Sequence, residues 1–135
     1  MDTNIGSLIQ AARNARARAY APYSKFLVGA ALLTRSGKVF IGCNVENISF
    51  GLTMCAERVC VGNAIGAGER ELEAIAIVAA SREPILPCGA CRQVLAEFNP
   101  KLAIYSATSG DEVSEFHLED LLPQSRQGIL ESDNA

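Results

Sequence analysis

At 135 residues the chain is about one domain long and can hide roughly two thirds of its unfolded surface, so a packed core needs no disulfide staple. Its composition, 49% hydrophobic and 20% charged, excludes a disordered, collagenous or coiled-coil polymer. The formal net charge of −3 argues against nucleic acid as the main partner, because phosphate backbones are held by concentrated basic surface. The longest apolar stretch, residues 74–80, falls far short of the ~20 residues that cross a bilayer. The start carries no basic region followed by an apolar one. We therefore expect a cytoplasmic chain with no membrane partner. Five cysteines would remain thiols in a reducing compartment, so any cluster among them reads first as metal ligand or catalyst.

The chain shows no internal repeat and no linker-like run, and 1–135 reads as a single domain. Ile5, Leu8, Ile9, Ala12, Ala15 and Ala19 recur at helical spacing before Pro22, which predicts an amphipathic helix over 4–20. The apolar runs 28–34 and 38–43, joined by Arg35-Ser36-Gly37, predict a hairpin. Beyond the polar stretch 44–49, Thr53 is the expected cap of a buried helix that ends near Gly66 and Gly68. A near-continuous apolar strand follows at 72–80, then a helix over 88–98 stopped by Asn99-Pro100, a strand at 102–106 and a short helix at 118–122. A hairpin followed by strand, helix and strand implies a mixed sheet with helices on both faces. Two loops that lead into helices carry cysteine, and such loops are where ligands gather in α/β sheets.

Cys88-Gly89-Ala90-Cys91 is a C-x-x-C pair after Pro87, and Cys55-Ala56-Glu57 opens the other buried helix. Three thiolates can converge on one zinc ion and leave its fourth tetrahedral position for water, the arrangement of a catalytic site. C-x-x-C alone also fits thioredoxin-like redox chemistry or a structural zinc module; the redox reading leaves Cys55-Ala56-Glu57 without a purpose. Cys43 and Cys60 read as small buried apolar side chains, and the single histidine, His117, as a structural or surface residue. Glu57 lies in a segment too apolar for a solvated carboxylate, and an acid beside an open zinc site moves protons.

The run Ala19-Tyr20-Ala21-Pro22-Tyr23-Ser24-Lys25-Phe26, then Gly42-Cys43-Asn44-Val45-Glu46-Asn47, Cys55-Ala56-Glu57-Arg58 and Pro87-Cys88-Gly89-Ala90-Cys91-Arg92-Gln93-Val94-Leu95 resembles the small homotetrameric cytidine deaminases, in order and spacing over most of the chain. The resemblance implies a three-layer α/β/α sandwich around a five-stranded mixed sheet. It implies hydrolytic deamination of cytidine or 2′-deoxycytidine to the uracil nucleoside plus ammonia. One zinc ion per chain, held by Cys55, Cys88 and Cys91, would activate the water that attacks C4, with Glu57 as proton shuttle. Asn44 and Glu46 match the groups that hold the ribose 3′-hydroxyl, and Phe26 the aromatic ring against the base. Backbone near Ala56 and Cys88 matches the groups that read its polar edge. Helix N-termini at Cys55 and Cys88, with Arg58 and Arg92 donating to sulfur, would offset the thiolate charge. The implied partners are a nucleoside and three further copies of the chain, whose neighbours complete each site.

Three positions depart from the family pattern. Leu27 stands where proline is usual. Phe50 replaces a tyrosine that reaches into a neighbouring subunit's site. Gln124-Ser125-Arg126 occupies the stretch where a phenylalanine closes a neighbour's site. Arg126 there can clamp a larger or anionic substrate, stack on the base, or mark a frayed end. A modified cytosine nucleoside, such as blasticidin S, is thus the alternative substrate, and a non-catalytic zinc module the rival reading. Glu57 favours the enzyme, since a mere module needs no acid beside its metal. The tail from about residue 124 lacks a pattern and is expected to be mobile unless a neighbouring subunit holds it.

Overall fold

The computed structural model describes residues 3–125. In chain order the elements are α1 (Thr3–Arg16), β1 (Val28–Thr34), β2 (Val39–Cys43), a 3-10 turn (Phe50–Leu52), α2 (Ala56–Gly66), β3 (Leu72–Ala79), α3 (Gly89–Phe98), β4 (Ala103–Ala107), β5 (Val113–His117) and α4 (Leu118–Leu121). The five strands form one mixed sheet in the order β2-β1-β3-β4-β5, with β3 and β4 parallel and the other pairs antiparallel. The hairpin turn after β1 closes with Gly37 at φ +93, where a residue without Cβ is at no disadvantage.

Side-chain alternation along the strands sorts the core into two layers. Ile75, Ile77 and Ile104 face α2, α3 and α4, against Cys60, Val61, Leu95 and Leu118. Ala31, Ala74, Ala76 and Val78 face α1, whose Leu8, Ile9 and Ala12 cover them. The α1 side of the sheet is lined by small residues, which lets that helix lie close. This is the expected three-layer α/β/α sandwich.

Two local expectations are corrected, and two elements are additional to them. The first helix stops at Arg16 rather than near residue 20: the N–H groups of Ala17, Arg18 and Ala19 turn back to Asn14, Ala15 and Arg16, and Tyr20 N–H goes to Asn44 O. Tyr20 then bridges Val45, a partner distant in sequence that ends the helix. Thr53 does not cap α2; its hydroxyl accepts Asn47 N–H, and Cys55 occupies the N-cap. The 3-10 turn was not foreseen by the pattern, nor was β5. Strand β5 lies at the sheet edge with every residue partly or largely exposed, so no buried run announces it. The expected stop of α2 is present: Gly68 at φ +88 follows the helix, with Glu69 N–H on Ala64 O and Gly68 N–H on Ile65 O.

Candidate active site

One end of the sheet gathers the chemistry. Val28 begins β1 opposite Ala79, the last residue of β3, and Gly29 pairs with Cys43, the last of β2. Segments leaving β2 and β3 and the segment entering β1 therefore emerge together. The chain from β2 returns alongside itself: Val45 and Met54 exchange both backbone hydrogen bonds at 2.9 Å, which lays the segment 44–46 antiparallel to the segment 53–55. From β3 the chain runs through the loop to Cys88, and Ser106, buried in β4, donates to Ile85 O at 2.6 Å and anchors that loop.

Cys55 is the N-cap of α2 and Cys88 the N-cap of α3, so two helix N-termini meet at the same sulfurs. The Sγ atoms of Cys55, Cys88 and Cys91 lie within 4.8 Å of one another, and Cys55 to Cys88 is 3.9 Å. Tetrahedral zinc with Zn–S bonds of ~2.3 Å sets its sulfurs roughly 3.8 Å apart, so the donor set and its spacing fit that ion. Cys88 Sγ accepts Cys91 N–H at 3.5 Å, and Arg58 Nη2 donates to Cys55 Sγ at 3.4 Å. Cys55 is drawn down to about 5, first by the hydrogen bond from Cys91 and also by Arg58, while the same contact and burial push Cys91 up. Three sulfurs this close cannot all ionise against one another; a dication removes that conflict.

Glu57, one residue into α2, is 5% exposed. Burial pushes its carboxyl up to about 7, with the charge on Cys55 acting in the same direction. A buried carboxyl that bonds the Cys91 thiol and feels the charge on Cys55 has the proton affinity of an acid–base group.

Residues 2–107 match the family described as cytidine and deoxycytidylate deaminase zinc-binding region. The chain belongs to this family. A cytidine deaminase of Halalkalibacterium halodurans is 48% identical over 117 residues, covering 86% of this chain and 89% of that one. One of Sporosarcina psychrophila is 44% identical over 121 residues, covering 89% of each. The crystal structure of a cytidine deaminase from Burkholderia pseudomallei superposes with a TM-score of 0.86 at 50% identity, covering 92% of this chain and 98% of that one. The protein is thus an enzyme of the zinc-dependent cytidine deaminase family, and its three-cysteine cluster could hold a metal ion.

The remaining expected residues fall as follows. Ala56 is the first residue of α2 and fully buried. Asn44 is buried and spans the segment before β1: its Oδ1 accepts Val28 N–H at 2.9 Å and its Nδ2 donates to Phe26 O at 2.8 Å. Glu46 accepts from the N–H groups of Tyr23 and Ser24 at 3.0 and 3.1 Å and from the Ser24 hydroxyl. Phe26 and Phe50 are exposed, and the Phe50 ring meets Tyr23 edge-on at 6.0 Å. Arg92 does not reach sulfur: its Nε donates to Pro87 O at 2.8 Å and its Nη1 to Leu121 O at 3.0 Å. It joins the loop before Cys88 to the end of α4 because two main-chain carbonyls converge on it. Arg126 and the residues after it lie outside the described residues. Cys60 is buried, and burial pushes its thiol up, which suits the apolar reading. His117 sits at the surface, with Nε2 3.4 Å from Glu115 Oε2. Ser24 received no role from the sequence, although a serine two residues before Phe26 is spaced for a hydroxyl-to-backbone turn.

Proposed function

We propose that the chain, acting as one domain, hydrolyses cytidine or 2′-deoxycytidine to the corresponding uracil nucleoside and ammonia. The observation that carries the reading is the convergence of Cys55, Cys88 and Cys91 with Glu57 buried beside them. Cys55, Cys88 and Cys91 would hold zinc, which supplies a Lewis acid that makes water nucleophilic near neutral pH. The carboxylate of Glu57 takes a proton from the attacking water and delivers it to ring N3. The same carboxyl then moves the remaining proton of the hydroxyl added at C4 to the amine, so that the C4 carbonyl forms as the C–N bond breaks and ammonia leaves. Phe26 packs against the base, the backbone at Ala56 and Cys88 meets its polar edge, and Asn44 and Glu46 receive the sugar hydroxyl. Arg58 offsets thiolate charge by its bond to Cys55, and Arg92 fixes the loop that presents Cys88.

The same reading takes the enzyme as a homotetramer in the cytoplasm. Tyr20, Ile48, Phe50, Leu52 and Met54 are all exposed on the segments flanking the site, and apolar surface of that kind favours assembly. Phe50 would reach a neighbour's site from there. Free thiols suit a reducing compartment, and among the described residues no helix is long and apolar enough to cross a membrane. The test is the ultraviolet change when zinc-loaded protein meets cytidine, with Glu57→Ala as control and light scattering to count subunits. Conversion by the parent alone supports the reading; a parent that binds zinc but converts no cytosine nucleoside overturns it.

A further inference from the structure

We propose that Ser24 is a positioning residue: its hydroxyl links the Glu46 carboxylate to the backbone of Phe26 and so fixes the aromatic ring against which the base packs. The inference rests on the functional reading above, since it takes Phe26 and Glu46 as the substrate contacts.

The links are continuous. Phe26 N–H donates to Ser24 Oγ at 3.0 Å, and the Ser24 hydroxyl in turn donates to Glu46 Oε2. Glu46 Oε1 takes the N–H groups of Tyr23 and Ser24. One carboxylate therefore holds the start of the segment, and Asn44 holds its end at Phe26 O and Val28 N–H. Between them Lys25 has φ +61, a left-handed conformation that a side chain with Cβ adopts only when neighbours impose it. Among the described residues, the acceptor that Phe26 N–H finds is Ser24 Oγ. A serine hydroxyl can accept one bond and donate another at once, which neither alanine nor cysteine does as well. The Glu46 carboxyl is held below the usual carboxylate range, first by the Ser24 hydroxyl, as such a contact requires. Of about four lone-pair sites on a carboxylate, the segment occupies three. One is left for a sugar hydroxyl, so the group that orders the Phe26 segment also faces the ligand.

The test uses zinc-loaded Ser24→Ala and Ser24→Thr enzymes. We measure KM and kcat with cytidine, thermal midpoint, and amide exchange at Phe26 by NMR. Ser24→Ala should raise KM about tenfold with kcat within about twofold, the loss of one hydrogen bond to a charged group. Exchange at Phe26 N–H should accelerate about tenfold or more, and Ser24→Thr should restore both. The inference is overturned if Ser24→Ala leaves Phe26 exchange or KM at the parental value, or if kcat and thermal midpoint fall together, which marks a general loss of structure. If the parent converts no cytidine, the functional reading fails by itself. Exchange at Phe26 then still decides the link: acceleration in Ser24→Ala with recovery in Ser24→Thr keeps it, and parental exchange in both removes it.

Discussion

Gly42→Ala should injure the active site from inside the core. A Cβ at Gly42 would lie 2.6 Å from Ala56 O, 2.8 Å from Cys60 N and 3.0 Å from Cys60 Sγ, against an ordinary contact of at least 3.4 Å. Two of those atoms are backbone of α2, so the first turn of that helix must withdraw by ~0.8 Å to reach ordinary contact. That turn carries Glu57 and follows Cys55 directly. Overpacking of this kind costs about 1–3 kcal/mol of stability, and a misplacement near 1 Å at a reacting group costs on the order of 100-fold in rate. The control is Gly29→Ala, whose Cβ would meet Ala12 O at 2.1 Å and Arg16 N at 2.4 Å on the α1 face, away from the sulfurs. Both variants should melt about 5–10 °C lower. Turnover of cytidine, normalised to the folded fraction from a urea titration, should collapse only in Gly42→Ala. Equal loss of kcat per folded chain in the two variants, or parental behaviour of Gly42→Ala, would refute the reasoning.

Arg58→Leu removes the donor 3.4 Å from Cys55 Sγ, and a chromophoric chelator should strip zinc about tenfold faster; an unchanged release rate counts against any charge-offsetting role. Arg92→Leu leaves Pro87 O and Leu121 O without their guanidinium. We expect roughly 2 kcal/mol of destabilisation, read by urea unfolding, and a raised KM for cytidine, because the loop that presents Cys88 loses its tie; a parental KM counts against that positioning role. Glu46 titrates below the ordinary carboxylate range because the Ser24 hydroxyl, then the backbone N–H groups of Ser24 and Tyr23, favour its charged form. A depressed folded value means that the contact contributes above the unfolded value and is lost as pH falls through the folded one. Amide protection at Tyr23 and Ser24 should therefore hold from pH 7 to about pH 5 and decline only in stronger acid; a decline already at pH 6 contradicts the assignment.

Much of the fold follows from residue period alone. Residues 72–79 are apolar at nearly every position because β3 is covered on both faces, and that run announces a central strand without any structure. Strand β5 carries Glu115 and His117 at the sheet edge, where water replaces a second covering layer, so its pattern is silent. The candidate metal site was legible for a chemical reason: thiolates beside an acid at two helix starts have few other uses, and the Sγ atoms of Cys55, Cys88 and Cys91 lie within 4.8 Å of one another. Hydrogen-bond partners were not legible, because a donor's acceptor is chosen by whatever the fold brings within about 3 Å. Arg92 follows Cys91 yet bonds Pro87 and Leu121, and Thr53 looks like a cap yet serves Asn47. The sequence by itself determined most of the element types, the two-faced sheet and the cysteines that come together, since these depend on local spacing. Only the tertiary structure decided that Cys55 caps α2, that Tyr20 ends α1 by pairing with Val45, and that Glu46 reaches Phe26 through Ser24. Each of those depends on atoms brought together from distant parts of the chain.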